Sequence, residues 1–204
     1  MDIITEQNHG LEDPMICPSM CASLKTPVFY AKSYVIIFAV CGDLLLNGNF
    51  KTYVQKTITD DNYLTLIGTV GSIGNALCRF LWNMCFNKIG YRWTLAILCL
   101  LNAIVLITIR YTIEIRELYC FMIFVANSCL GGFLVLNITH SHIVFGIDVG
   151  SNLDLFYWSF FSFSNFIGYF YVSGLSGIIG FNNIFYICLG MNLSVYPLLY
   201  CFHF

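Results

Sequence analysis

The chain has 204 residues, of which 58% are hydrophobic, 17% aromatic and only 10% charged. A soluble domain carries roughly 25% charged residues, so 9 basic and 11 acidic side chains cannot cover a water-soluble surface of this size. A net charge of −2 leaves no basic footprint for nucleic acid, and the apolar content excludes disorder. The class that remains is a polytopic membrane protein.

Residues 1–26 hold Asp2, Glu6, Glu12 and Asp13 but a single lysine, Lys25. That is unlike a signal peptide, which opens basic and continues into about 7–15 apolar residues. Cys17 and Cys21 lie here with only His9 as a local partner, too few ligands for a structural metal. No metal or cofactor is expected.

A membrane-crossing helix needs about 20 mostly apolar residues. Six stretches qualify, near 28–47, 63–86, 93–109, 118–139, 155–175 and 183–202. The expected fold is therefore all-α: a six-helix transmembrane domain over 28–204, preceded by a short N-terminal segment, 1–27. The expected connections are short: 48–62, 87–92 (NKIGYR), 110–117, 140–154 and a final Gly-rich loop. Flanking charge gives no orientation, because Lys25, Lys32, Lys88 and Arg92 on one side balance Lys51, Lys56, Arg110 and Arg116 on the other.

Ionisable residues inside the apolar runs are costly to bury and mark function first. Asp43 falls in the first helix. It has three open readings: an interfacial carboxylate, an ion-pair partner, or a coupling site. Arg79 falls in the second helix, roughly 10 Å from its end at 1.5 Å per residue. It either snorkels to the interface or faces an aqueous cavity as an anion-binding cation. Asn75, four residues earlier, shares its helix face. Gly68, Gly71 and Gly74 on the same helix favour close helix approach.

The fifth helix is rich in aromatic rings, and Trp158, Ser162, Asn165 and Tyr169 form one polar-tipped stripe on it. That stripe lines a cavity or bonds to a neighbouring helix. Asn102, Asn127, Asn137 and Asn192 are further helix-bonding candidates. His140 and His142 fall in the fourth loop, two apart and without a third ligand, so no metal site is expected. Asn137-Ile-Thr139 and Asn192-Leu-Ser194 match the glycosylation pattern inside apolar runs and read as chance. There is no P-loop, serine elbow or zinc-protease motif, hence no case for an enzyme.

Residues 71–92, GSIGNALCRFLWNMCFNKIGYR, resemble the loop signature of the major facilitator superfamily. Asn75, Arg79, Trp82, Lys88, Gly90, Tyr91 and Arg92 fit that pattern, and Asn87 departs from it where the family has Asp. Residues 50–75 are similar to the monocarboxylate and oxalate–formate branch, and HIVFGIDVGSNLDLFYW (142–158) resembles its Phe-Gly segment before the eleventh helix. The resemblance covers roughly residues 28–203 and is most specific over 50–92. It implies that the six helices correspond to helices seven to twelve of the family. Both termini and the loop from Asn87 to Arg92 would then be cytoplasmic. It also implies that Arg79 binds a substrate carboxylate, with Asn75 and Asn165 as polar neighbours. Asn75 cannot titrate, and the fifth helix has no lysine, so proton coupling at Asn75 and dicarboxylate exchange are not implied.

Family members have two six-helix halves with the substrate between them. The expectation is thus a secondary-transporter half for a small organic solute, a carboxylate, working by alternating access with a second half or a second copy. Its partners would be the solute and membrane lipid. The alternative is a non-transporting structural or regulatory membrane protein that binds a partner.

Overall fold

A computed structural model of the chain describes residues 19–55 and 57–201. Among them every regular element is helical. The calls on His9, Cys17 and most of segment 1–27 lie outside the described residues.

Local chemistry sets the helix starts. A short turn, α1 (Met20–Ser23), is capped by Ser19. Thr26 caps α2 (Pro27–Ala39), its Oγ1 accepting from Phe29 N at 3.4 Å, and Pro27 fills the first turn, where a missing N–H costs nothing. After a bend at Val40 the chain continues as α3 (Cys41–Val54). Asp60 caps α4 (Asp61–Thr112), its carboxylate accepting from the backbone N–H groups of Asn62 and Tyr63. Then follow α5 (Arg116–Phe145) and α6 (Ile147–Phe170), a π-helical turn at Tyr171–Leu175, α7 (Ser176–Ile179), α8 (Phe181–Leu193) and α9 (Val195–Cys201).

Three helical stretches are long and apolar enough to cross a membrane: Pro27–Val54, Asp61–Thr112 and Arg116–Phe145. The second has 52 residues and is folded double. Gly90 leaves the helical region, with φ 79° and ψ 171°, a conformation essentially closed to residues with a Cβ. The two arms, 61–89 and 91–112, both lie along α5.

Several expected boundaries move. The expected loop 87–92 is a break at Gly90 alone, with Asn87 and Lys88 still helical. The expected loop 140–154 is not a loop: α5 runs on to Phe145, Gly146 makes the turn, and α6 starts at Ile147. The histidines there are held by partners on other helices, so the helix does not end where the apolar run thins. Likewise α3 carries Lys51 in its last turn, and the final Gly-rich loop is the short α7 followed by Gly180.

The glycine run packs as its spacing predicts. A Cβ at Gly71 would stand 2.8 Å from Asn127 Nδ2, and one at Gly74 would stand 2.7 Å from the Phe124 ring, both on α5. Gly68 faces the Phe50 ring of α3. The buried side chains form a core between α3, α4, α5 and α8, including Leu45, Leu106, Tyr119 and Phe185. The Tyr119 hydroxyl is satisfied by the Phe50 carbonyl at 2.8 Å.

Candidate functional site

Arg79 is exposed on the first arm of α4, and Asn75 beside it is half-buried. The i, i+4 spacing becomes a direct contact: Arg79 Nε donates to Asn75 Oδ1 at 3.2 Å and Nη2 donates to the same oxygen at 2.8 Å. The Arg79 stem lies over Gly131 of α5, where an added Cβ would come within 3.3 Å of Arg79 Cγ. One turn further, Trp82 Nε1 donates to the Ser128 carbonyl at 3.0 Å. The guanidinium is thus held from one edge by Asn75, and the side chain is otherwise exposed. Such a planar fork suits a carboxylate.

Arg79 ends a polar stripe. Thr65, Thr69 and Ser72 stand on the same exposed face, each hydroxyl donating to the carbonyl four residues back. The same arm also exposes Leu66, Ile73, Leu77, Phe80, Leu81 and Met84. The second arm exposes Trp93, Ile97, Leu100, Ile104, Ile107 and Tyr111, an apolar stripe with a ring at each end, with Arg110 exposed beside it. From 93 to 111 it spans roughly 27 Å at 1.5 Å per residue, close to the hydrocarbon thickness of a bilayer.

Trp158, Ser162, Asn165 and Tyr169 are all exposed on α6. Ser162 bonds only its own helix, at the Trp158 carbonyl. No hydrogen bond brings Asn165 to Arg79 or Asn75, and α6 packs chiefly on α2, α3 and α5. Asp43 is 1% exposed on α3 and joins no salt bridge among the described residues. In the 87–92 segment, Asn87 and Lys88 are exposed and Arg92 is half-buried. Tyr91 is buried, stacked on His140 with ring centroids 3.9 Å apart.

The sequence reading missed the most deeply buried cation among the described residues. Lys32 is fully enclosed. Its ammonium donates to the Asn137 carbonyl at 3.0 Å and to Ser141 Oγ, and it lies 5.1 Å from the centre of the Tyr157 ring. The signal was its place inside the first apolar run, several residues past Pro27. Lysines near a helix start normally snorkel outward, and here α5 and α6 close over it.

Three successive residues of α5 hold this region together. Side chains on a helix turn by roughly 100° per residue, so neighbours face different helices. His140 stacks on Tyr91 of α4, Ser141 accepts from Lys32 of α2, and His142 Nε2 meets Asp154 Oδ2 of α6 at 2.9 Å. Beside them a cleft of about 30 Å³ is lined by residues including Ile36, Asn137, Asp154 and Trp158. That is space for about one water, too little for an organic solute. Among the described residues no group of three His, Cys, Asp or Glu side chains is placed to hold a metal. Asn137 and Asn192, the matches to the glycosylation pattern, are both buried.

The described chain is thus an all-helical bundle with three helices fit to cross a membrane. Comparison with models of known protein families finds no match, and neither does comparison with curated proteins.

Proposed function

We propose that this protein is an integral membrane protein whose six apolar segments cross the bilayer and form one half of a secondary transporter for a small organic carboxylate. The observation that carries this reading is the Arg79–Asn75 pair on the exposed face of α4. A charged fork on an apolar helix is costly against lipid, so that face belongs against water or a second bundle. The second arm of α4 exposes a stripe of apolar side chains with a ring at each end, the composition of a lipid-facing surface. The narrow stripe of Thr65, Thr69, Ser72 and Arg79 on the first arm, beside exposed apolar side chains, supports a bundle with one polar strip in a largely lipid-facing surface.

In this reading the solute carboxylate pairs with Arg79, and Asn75 holds the guanidinium in place. Asn165 and the α6 stripe form the opposite flank of the path. A second bundle, either another chain or a second copy, closes the site from above. Rocking of one bundle against the other exposes it alternately. The resemblance of residues 71–92 to the facilitator signature supports the same assignment, with both termini cytoplasmic.

The test is uptake of radiolabelled lactate and formate into proteoliposomes holding the purified protein. Cross-linking through cysteines introduced at Thr69 and Ser162 reports the second bundle. Uptake that saturates, and cross-links between copies, are the expected results. A stable partner complex with no flux of either anion points instead to the non-transporting alternative.

A further inference from the structure

Where α2 gives way to α3, the Ala39 carbonyl is taken by side chains from two other helices. Asn102 Nδ2 of α4 donates to it at 3.0 Å and Asn192 Nδ2 of α8 at 3.4 Å. A carbonyl accepts only from N–H, so this geometry fixes both amides, with each Oδ1 turned away from Ala39. Asn102 and Asn192 are fully buried, and neither Oδ1 accepts a hydrogen bond from a described group.

Asp43 lies four residues beyond Ala39, in the first turn of α3 just past the bend at Val40. Helical side chains lean back toward the N-terminus, which brings its carboxylate toward the level of Ala39. Asp43 is 1% exposed, and no described group donates to either carboxylate oxygen. Its close electrostatic neighbours are Cys99, Cys129 and Cys188. Cys99 and Cys188 share helix faces with Asn102 and Asn192.

We propose that the carboxylate of Asp43 and the amide oxygens of Asn102 and Asn192 bind a sodium ion inside the bundle. Four buried acceptor oxygens, none accepting a hydrogen bond from a described group, match the need of a hard cation. A proton on Asp43 would let one oxygen donate to one of the others and leave two bare. The site carries one negative charge, so a monovalent ion leaves it neutral, whereas a divalent ion would leave a buried net positive charge. Both amides are oriented by the carbonyl at the helix bend, which makes that bend part of the site. In the transporter reading above, on which this extension rests, sodium is the coupling ion.

The experiment is binding of ²²Na⁺ to the purified full chain in detergent, with thermal unfolding followed in NaCl and in choline chloride at equal ionic strength. Saturable binding is expected, with an unfolding temperature that rises with sodium concentration and not with choline. Asp43→Asn, which keeps the volume and removes the charge, should lose both responses, and Asn192→Ala should weaken both. Should Asp43→Asn not fold, competition of ²²Na⁺ by unlabelled Na⁺ but not by choline on the wild-type chain decides the point. Folded wild-type protein without saturable binding, an equal shift in choline, or binding retained in Asp43→Asn overturns the proposal. Sodium-independent lactate uptake removes the coupling role and leaves the transporter reading standing. Sodium binding without any anion uptake overturns the transporter reading, and with it the coupling role, and leaves the sodium site standing.

Discussion

Trp82 and Leu98 belong to one helical run, yet both close on the same point of α5: a Cβ at Gly132 would lie 2.8 Å from Trp82 Cδ1 and 2.7 Å from Leu98 Cδ2. A straight helix would hold residues 82 and 98 roughly 24 Å apart. The fold-back at Gly90 brings them together. It turns one 52-residue helix into two arms that flank α5, the first of which carries the polar stripe that ends at Arg79.

Gly90→Ala should therefore destabilise the bundle through the backbone alone. Nothing lies within 4 Å of the added Cβ, so no clash confuses the result. The φ of 79° costs a residue with a Cβ about 1–3 kcal/mol. Thermal unfolding in detergent measures it, and an unchanged transition would show that the turn does not need glycine.

Gly131→Ala acts by contact instead. The new Cβ would stand 2.5 Å from the Asn75 carbonyl, so α4 must move away from α5. Overpacking of this kind costs about 1–3 kcal/mol, and it also shifts the stem of Arg79. Gly190→Ala, inside α8 with open space around it, is the control and should unfold no earlier than the wild type.

Lys32 and Ser141 form a coupled pair across α2 and α5. A double-mutant cycle with Lys32→Met and Ser141→Ala should return an interaction energy of about 0.5–3 kcal/mol. The same cycle run with Lys32→Met and Arg79→Gln, which share no contact, should be additive within about 0.5 kcal/mol. Additivity in the first cycle would remove Lys32 from its role as the tie between these helices.

Arg79→Gln probes function rather than folding. The side chain is exposed and its hydrogen bonds to described residues go to Asn75 on the same helix, so stability should change by less than about 0.5 kcal/mol. Anion uptake by proteoliposomes should be lost while insertion and unfolding temperature stay as they were. Normal uptake by this variant would end the assignment of Arg79 to the solute.

The helices were legible in the sequence because apolar runs of this length have few alternatives to helix in an apolar surrounding. The Asn75–Arg79 contact was legible as well, since an i, i+4 spacing is a local property of a helix. Lys32 was not. Its place near the start of an apolar run suits both an outward snorkel and a buried tie, and only Asn137, Ser141 and Tyr157, more than a hundred residues away in the chain, decide between them. His140 and His142 were placed in a loop for the same reason: their partners, Tyr91 and Asp154, come from other helices.

For Asp43 the sequence left three readings open, and burial without an ionic partner narrows them. Composition and periodicity determined that this chain is helical and apolar, because those properties depend on near neighbours and on the solvent. The tertiary structure decided which polar groups are enclosed together and which face is left polar. Those depend on how distant helices turn toward one another, which no local spacing encodes.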